Sequence, residues 1–179
     1  MKVRIRQYKD SDIPFFYEAV IESLPALSLW LPWAHEQYSL HETETWIRNW
    51  VPQIWKEQKG CEFVMEAVKS GQILGGCCLE QLDLKNKEAN IGYWVRTSAT
   101  GKGIATQACF LLLQYGFEVL QLDRICVIPS AENPPSIKVA EKLPYERINK
   151  VPNGFQIRDN ISDALVYTIT RASYKKPGS

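Results

Sequence analysis

"SATGKGIATQA", Ser98 to Ala108, sets two glycines around one lysine and runs at once into a helical pattern. A strand-like stretch, "IGYWV", ends just before it at Val95, so the segment reads as a strand-to-helix turn. The first N–H groups of a helix have no internal partners, and the helix dipole favours an anion at that end. Gly101 and Gly103 remove side chains that would hold a ligand away from the backbone, and Lys102 adds a positive charge. Those are the requirements of a phosphate cradle. They are also the features of a plain glycine-rich helix cap. The specific nucleotide patterns do not match. "TGKGIAT" is not a P-loop, and "GKGIAT" places Thr106 where a third glycine of a dinucleotide fingerprint would stand. Taken alone, the stretch leaves cradle and cap open.

Its surroundings organise the chain. Upstream, "CEFVMEAV" and "QILGGCCLEQL" flank the turn "KSGQ", and "EANIGYWV" follows the polar turn "DLKNKE". Three strands with short turns predict an antiparallel meander. Downstream, "GIATQACFLLLQYGFEVL" puts Ile104, Ala108, Leu111, Leu112, Tyr115 and Val119 on one helical face. Gly116 inside that helix costs about 1 kcal/mol against alanine, which predicts a close contact there. "RICVI" reads as a buried strand. "NPPSIKVAEKL" is a short helix with Asn133 as its cap and Pro134 as its first residue. "YERINKV" and "DALVYTITR" alternate and form a last strand pair.

At the other end, "KVRIR" is a strand, and a helix follows that is capped by Ser11 or Asp10 and ended by Pro25. "SLHE", Ser39 to Glu42, is a capping box. It opens a second helix carrying Trp46, Ile47, Trp50 and Ile54, which Pro52 should kink or split. This order predicts an α/β (α+β) fold with a mostly antiparallel sheet. One domain over 1–174 and a loose tail over 175–179 are expected.

Composition narrows the function. The chain has 179 residues, 45% hydrophobic and 23% charged, with a formal net charge of +1. That balance argues against a dedicated nucleic-acid binder. No apolar run reaches the length of a membrane span, and "MKVRIRQYKD" lacks the apolar region of a signal peptide. The five cysteines are odd in number and form no C-x-x-C pair, so neither a zinc site nor a disulfide framework is expected. They read as core residues in a reducing compartment, which favours the cytoplasm. Four of the six tryptophans fall between residues 30 and 50, which suggests an aromatic-walled groove. Core filling is the stronger expectation for Trp46 and Trp50 than for Trp30 and Trp33.

The meander ending in "IGYWV", then "TGKGIATQA", the long helix, the buried strand and "NPPSIKVAEKLPY" resemble the GCN5-related N-acetyltransferases. More narrowly they are similar to the RimJ/RimL branch, which acetylates ribosomal-protein N-termini; "LWLPW" at 29–33 is a further shared element. The resemblance spans strand 3–6 to strand 164–170. It implies a mixed, twisted, mostly antiparallel sheet of about six to seven strands flanked by about four helices. It implies acetyl-CoA as cofactor, without a metal, and a primary amine as acceptor. That amine would be the N-terminus of a (ribosomal) protein or peptide, or alternatively a small molecule of polyamine or aminoglycoside type. An acyl-CoA-binding module with little turnover is the alternative of a different class. Nucleic acid and membrane are not implied as partners, and a homodimer rests on the resemblance only.

Residue by residue, the resemblance lays the CoA pyrophosphate on the backbone of Gly101, Lys102, Gly103, Ile104, Ala105 and Thr106. Trp94 and Val95 would bond the pantetheine arm through their backbone, and Asn133 would contact it. Ser136 falls near the sulfur, as a candidate acid for the leaving thiolate. The acceptor groove would take in Trp30, Leu31, Pro32 and Trp33, with Glu18, Glu22, Glu42 and Glu44 as nearby acidic groups. Three positions depart from the pattern. Thr100 stands where the loop usually has Arg or Gln, and it or Lys102 would have to compensate. Asn90 stands where many relatives have a glutamate base, and asparagine accepts no proton; Glu80 is the substitute candidate. Pro144 replaces a glycine, so that helix must end without a left-handed cap. His35 and His41 read as surface residues.

Overall fold

In the computed structural model, which describes residues 1–174, the chain builds a seven-stranded sheet in the order β1-β2-β3-β4-β5-β7-β6. The strands are β1 (Val3–Arg6), β2 (Cys61–Ala67), β3 (Ile73–Asp83), β4 (Glu88–Val95), β5 (Arg124–Val127), β6 (Arg147–Ile157) and β7 (Asn160–Thr170). All neighbours are antiparallel except β4 and β5. The expected meander is β2-β3-β4. The expected last pair is β6-β7, with β7 inserted between β5 and β6. The tail over 175–179 lies outside the described residues.

The helices are α1 (Ile13–Leu27), α2 (Leu40–Thr45), α3 (Val51–Lys56), α4 (Ile104–Gln114) and α5 (Pro134–Ala140). A π turn over Trp46–Trp50 joins α2 to α3. Val51 donates to the Trp46 carbonyl there, and Pro52, which has no N–H to give, follows in the first turn of α3. The proline is thus absorbed by a wider turn, and four helical bodies flank the sheet. The capping box at the start of α2 is present: Ser39 N donates to Glu42 Oε2 at 2.8 Å, and Glu42 N to Ser39 Oγ at 3.4 Å.

Two helix boundaries differ from expectation. A short 3-10 turn, Asp10–Asp12, precedes α1, so the cap position is Asp12 rather than Ser11 or Asp10. Asp12 is drawn there by Arg6, whose Nη1 lies 2.7 Å from its carboxylate, and by the Lys9 amide at 2.8 Å. Pro25 does not end α1, which runs on to Leu27. A proline so near the end removes one hydrogen bond, and Ser28 N still closes onto Leu24 O at 2.9 Å.

Strand alternation sends one set of side chains to each face. Phe63, Cys77, Leu79 and Ile91 pack under α4 with Ala108, Leu112 and Phe117. Val64 and Ile73 face the other way, against Phe16 and Val20 of α1 and Ile47. A fully buried side chain such as Leu112 contributes about 2 kcal/mol. A second π turn, Tyr115–Val119, extends α4. Its extra residue rotates the apolar stripe, so Phe117 faces the core while Val119, expected on that face, is 61% exposed. Gly116 sits at the predicted contact: a Cβ there would lie 2.5 Å from Ile125 Cδ1. Helix α5 ends at Ala140, and the turn after it runs through Leu143 and Pro144 without a left-handed residue; Tyr145 N donates to Leu143 O at 2.8 Å. All five cysteines are free, with Cys61, Cys77 and Cys109 buried.

Candidate active site

The glycine turn between β4 and α4 is anchored from behind. Arg96 is only 6% exposed, and its backbone N–H closes the last β3–β4 bond, onto Leu74 O at 2.8 Å. Its guanidinium meets Glu22 of α1 through Nε at 2.9 Å and Glu18 at 3.1 Å. The other Glu22 oxygen accepts the Ser98 amide at 2.6 Å, and Ser23 Oγ accepts Thr97 N at 3.0 Å. Arg96 and the Ser98 amide hold the Glu22 carboxyl down to about 2. Glu18 and Glu22 are therefore a clamp on the loop and not part of an acceptor groove.

Past this clamp, Gly101 and Gly103 take the left-handed region, with φ of 73° and 72°. A Cβ at either would meet nothing within 4 Å, so the concave side of the loop is open. The first bond of α4 runs from Gln107 N to Gly103 O at 3.1 Å. The amides of Ile104, Ala105 and Thr106 precede it and have no acceptor within the helix. Thr100 does not cap α4: its hydroxyl donates back to Thr97 O at 2.8 Å. Lys102 Nζ folds onto Ser98 O at 2.7 Å, still beside the cradle.

Next to the loop the sheet parts. β4 and β5 stay paired from Glu88/Arg124 to Ile91/Val127, and β5 stops while β4 continues to Val95. Antiparallel pairing alternates, so the register fixes which groups face the gap. Arg96 bonds Leu74, and by the same parity Trp94 bonds Gly76. Tyr93 and Val95 therefore present their N–H and C=O to the gap. The expectation for Val95 fits this geometry. Trp94 is corrected, because its backbone groups are taken by β3. Across the gap, Asn133 Oδ1 caps α5 by accepting Ser136 N at 3.2 Å. Ser136 Oγ lies 2.8 Å from the Tyr93 hydroxyl.

On the opposite face of the sheet lies a cavity of about 670 Å³. Its walls include Trp33, Trp46, Trp50 and Trp94, with Trp33 and Trp94 packed edge to face at 6.0 Å between ring centres. Of the four groove residues expected from sequence, Leu31 and Trp33 line it, whereas Trp30 and Pro32 do not. Trp50, expected in the core, is 53% exposed at the rim, since the π turn swings it outward. His41 also lines the cavity, and His35 pairs with Glu42 at 2.9 Å.

The floor is acidic. Glu62 on β2 stands opposite Cys78 on β3, which stands opposite Gly92 on β4. Glu80 is two residues on, on the same face. Gly92 gives up space above β4 to its neighbours: a Cβ there would lie 2.8 Å from Cys78 Sγ and 3.6 Å from Glu80 Oε1. The carboxyl of Glu80 thus leans over the strand that carries Asn90, whose amide is turned aside to Gln81 Oε1 at 2.8 Å. The side chain of Glu80 reaches solvent, and desolvation by the atoms packed around its carboxyl pushes it up. Burial first, and Glu80 second, push Glu62 up to about 8, against a hydrogen bond from Cys78. A carboxyl in that range can take a proton from an amine. Sequence reasoning missed Glu62 and the side chain of Tyr93. The available signal for Glu62 was that it is one of two charges, with Glu66, in the largely apolar run "CEFVMEAV". Among the described residues no group of three or more His, Cys, Asp or Glu is placed to hold a metal ion, and no helix is long and apolar enough to cross a membrane.

Comparison with known proteins places these features. Residues 2–146 match the family described as acetyltransferase (GNAT) domain. The chain is 29% identical over 174 residues to the candidate ribosomal N-acetyltransferase YdaF of Bacillus subtilis strain 168, covering 97% of this chain and 93% of that one. It is 28% identical over 126 residues to the spermidine N(1)-acetyltransferase of Escherichia coli K12, covering 68% and 67% of the two. In fold it is similar to RimL, the ribosomal L7/L12 alpha-N-protein acetyltransferase solved with coenzyme A, with a TM-score of 0.85, 18% identity and 97% of each chain covered.

Proposed function

Because the chain belongs to the GNAT acetyltransferase family, we propose that it moves an acetyl group from acetyl-CoA to the N-terminal amine of a protein or peptide. The observation that carries this reading is the parting of β4 from β5 beside the open glycine cradle, with the same stretch of β4, Gly92 to Trp94, lining the acid-floored cavity. Acetyl-CoA supplies the acetyl group activated as a thioester. The residues present fit such a ligand. The amides of Gly101 to Thr106 and Lys102 would hold the pyrophosphate at the start of α4. The gap-facing groups of Tyr93 and Val95 would bond the pantetheine arm, with Asn133 beside it, and a gap-facing N–H would polarise the thioester carbonyl.

Glu80 carries the base role in this reading. It removes the proton that an attacking amine must lose, at a carboxyl that reaches solvent and is raised by partial desolvation at the cavity floor. Ser136 Oγ supplies a proton for the departing thiolate. The aromatic walls hold the body of the acceptor and exclude water. A second reading, a small polyamine as acceptor, is favoured by one observation: two acidic side chains, Glu62 and Glu80, line one cavity, and a molecule with more than one positive charge would draw both into the ionised form. The kinship with a spermidine acetyltransferase supports it too.

The test is release of free thiol from acetyl-CoA with a peptide bearing a free N-terminal serine and, in parallel, with spermidine. Faster turnover with the peptide supports the first reading, and faster turnover with spermidine the second. Glu80→Gln is expected to lower kcat about a hundredfold. No release with either acceptor, together with no rise in melting temperature on adding acetyl-CoA, would sink the acetyltransfer reading.

A further inference from the structure

Tyr93 belongs to the half of β4 that has parted from β5, yet its side chain crosses to α5 on the far bank of the gap. Its hydroxyl lies 2.8 Å from Ser136 Oγ and 3.3 Å from Ser136 O. The shorter distance is the usual one for O–H···O, and the longer is marginal. Either hydroxyl can donate across the shorter distance, and a phenol, as the stronger acid, is the better donor of the two. Burial first, and the neighbouring Cys109 of α4 second, push Tyr93 well up, so it remains a donor.

We propose that Tyr93 is a positioning residue for Ser136: it donates to Ser136 Oγ and so leaves the serine proton free to point into the gap, at the coenzyme sulfur. A hydroxyl that accepts one hydrogen bond is also a better donor in the next. The assignment rests on the acetyl-CoA reading above and on Ser136 as the group facing the sulfur. It gives the "Y" of "IGYWV" a part in handling the leaving group.

The consequence can be read without any acceptor. A donor at the sulfur stabilises the thiolate and lowers the thiol pKa of bound CoA below that of free CoA. Affinity then rises with pH between those two values. The experiment is calorimetric titration with CoA and with desulfo-CoA, which lacks the thiol, from about pH 7 to about pH 10. The ratio of the two affinities isolates the sulfur. In the wild type that ratio should grow about tenfold, which is one pKa unit. Ser136→Ala should abolish the growth, Tyr93→Phe should reduce it to about threefold or less, and the double variant should match Ser136→Ala.

Full growth in Tyr93→Phe overturns the role of Tyr93 and leaves Ser136 standing. Equal weakening of CoA and desulfo-CoA by Tyr93→Phe, with the growth retained, reduces the tyrosine to a tether across the gap and overturns the proposal as well. No growth in the wild type removes Ser136 from the sulfur, and Tyr93 with it. Failure of CoA to bind at all removes the cofactor reading itself.

Discussion

Replacing Glu62 by glutamine should make the protein more stable near neutral pH. Glu62 sits in the cavity floor beside Glu80, and burial and that neighbour push it up to about 8 from an ordinary 4.5. The sign follows from linkage. A carboxyl whose folded value is raised favours the fold below its unfolded value and loses that advantage as pH climbs to the folded one. At pH 7 the unfolded chain ionises Glu62 while the folded chain keeps it protonated. At pH 7 only the span from 4.5 to 7 counts, which makes this a penalty of at most about 3 kcal/mol. Water in the cavity screens part of it, so about 1–2 kcal/mol is expected for Glu62→Gln, or roughly 2–8 °C in melting temperature for a domain of this size. Glutamine keeps the shape and still accepts a hydrogen bond from Cys78. The assay is urea unfolding of both proteins across pH. The two should coincide below about pH 4.5 and separate steadily up to about pH 8. A gap that is flat with pH, or a variant that is the less stable at pH 8, would refute the reasoning. It would mean that Glu62 is ionised in the fold and held by a cation.

Three further outcomes are expected. Gly103→Ala places a side chain in the left-handed region at a φ of 72°, a strain of about 1–2 kcal/mol, and sets a methyl in the open cradle. Gly71→Ala, at a φ of 71° on the β2–β3 turn and equally open, is its matched control. Both should lower stability alike, whereas only Gly103→Ala should weaken acetyl-CoA, by about tenfold or more in a calorimetric titration. Glu22→Gln breaks the clamp on Arg96 and Ser98. Because Glu22 is held down to about 2 in the fold, the stability it contributes is complete above about pH 4.5 and is lost as pH falls toward 2, so wild type and variant should converge in acid unfolding curves. Ser136→Ala should lower kcat about tenfold with the KM for acetyl-CoA little changed; a large rise in KM at normal kcat would rule out the acid role.

Local chemistry was legible in the sequence wherever a few adjacent residues decide the outcome. Ser39 and Glu42 make their capping box with each other, Asn133 caps the helix it precedes, and Gly101 and Gly103 take conformations that glycine alone favours. Gly116 was readable for the opposite reason, since a glycine in a helix must be explained by a neighbour. The π turns escaped the pattern because one added residue rotates the stripe, which moved Trp50 out and turned Phe117 in. Trp94 was misassigned because its hydrogen bonding depends on register with β3, set by Gly76 far along the chain. Glu62 escaped because its character comes from Glu80 and from the roof of aromatic rings, none of them local in sequence. Pairing of β7 between β5 and β6 is likewise a long-range choice that alternation within each strand does not encode.

The buried cysteines decide how enzyme turnover can be watched. Cys61 and Cys77 of the sheet and Cys109 of α4 lie inside the core between them, and burial raises all three thiols, Cys61 to about 11. Cys78 is raised likewise in the cavity floor. Thiols in that state attack disulfide dyes slowly. Cys78 and Cys126 are the two half-buried thiols, and with Cys78 raised, Cys126, 3.8 Å from the Thr168 hydroxyl, is the one expected to meet reagent first. A Cys126→Ser protein should therefore be nearly silent toward a chromogenic disulfide under native conditions. Every molecule of colour formed in its presence would then count one acetyl group transferred, in real time and without separating the protein.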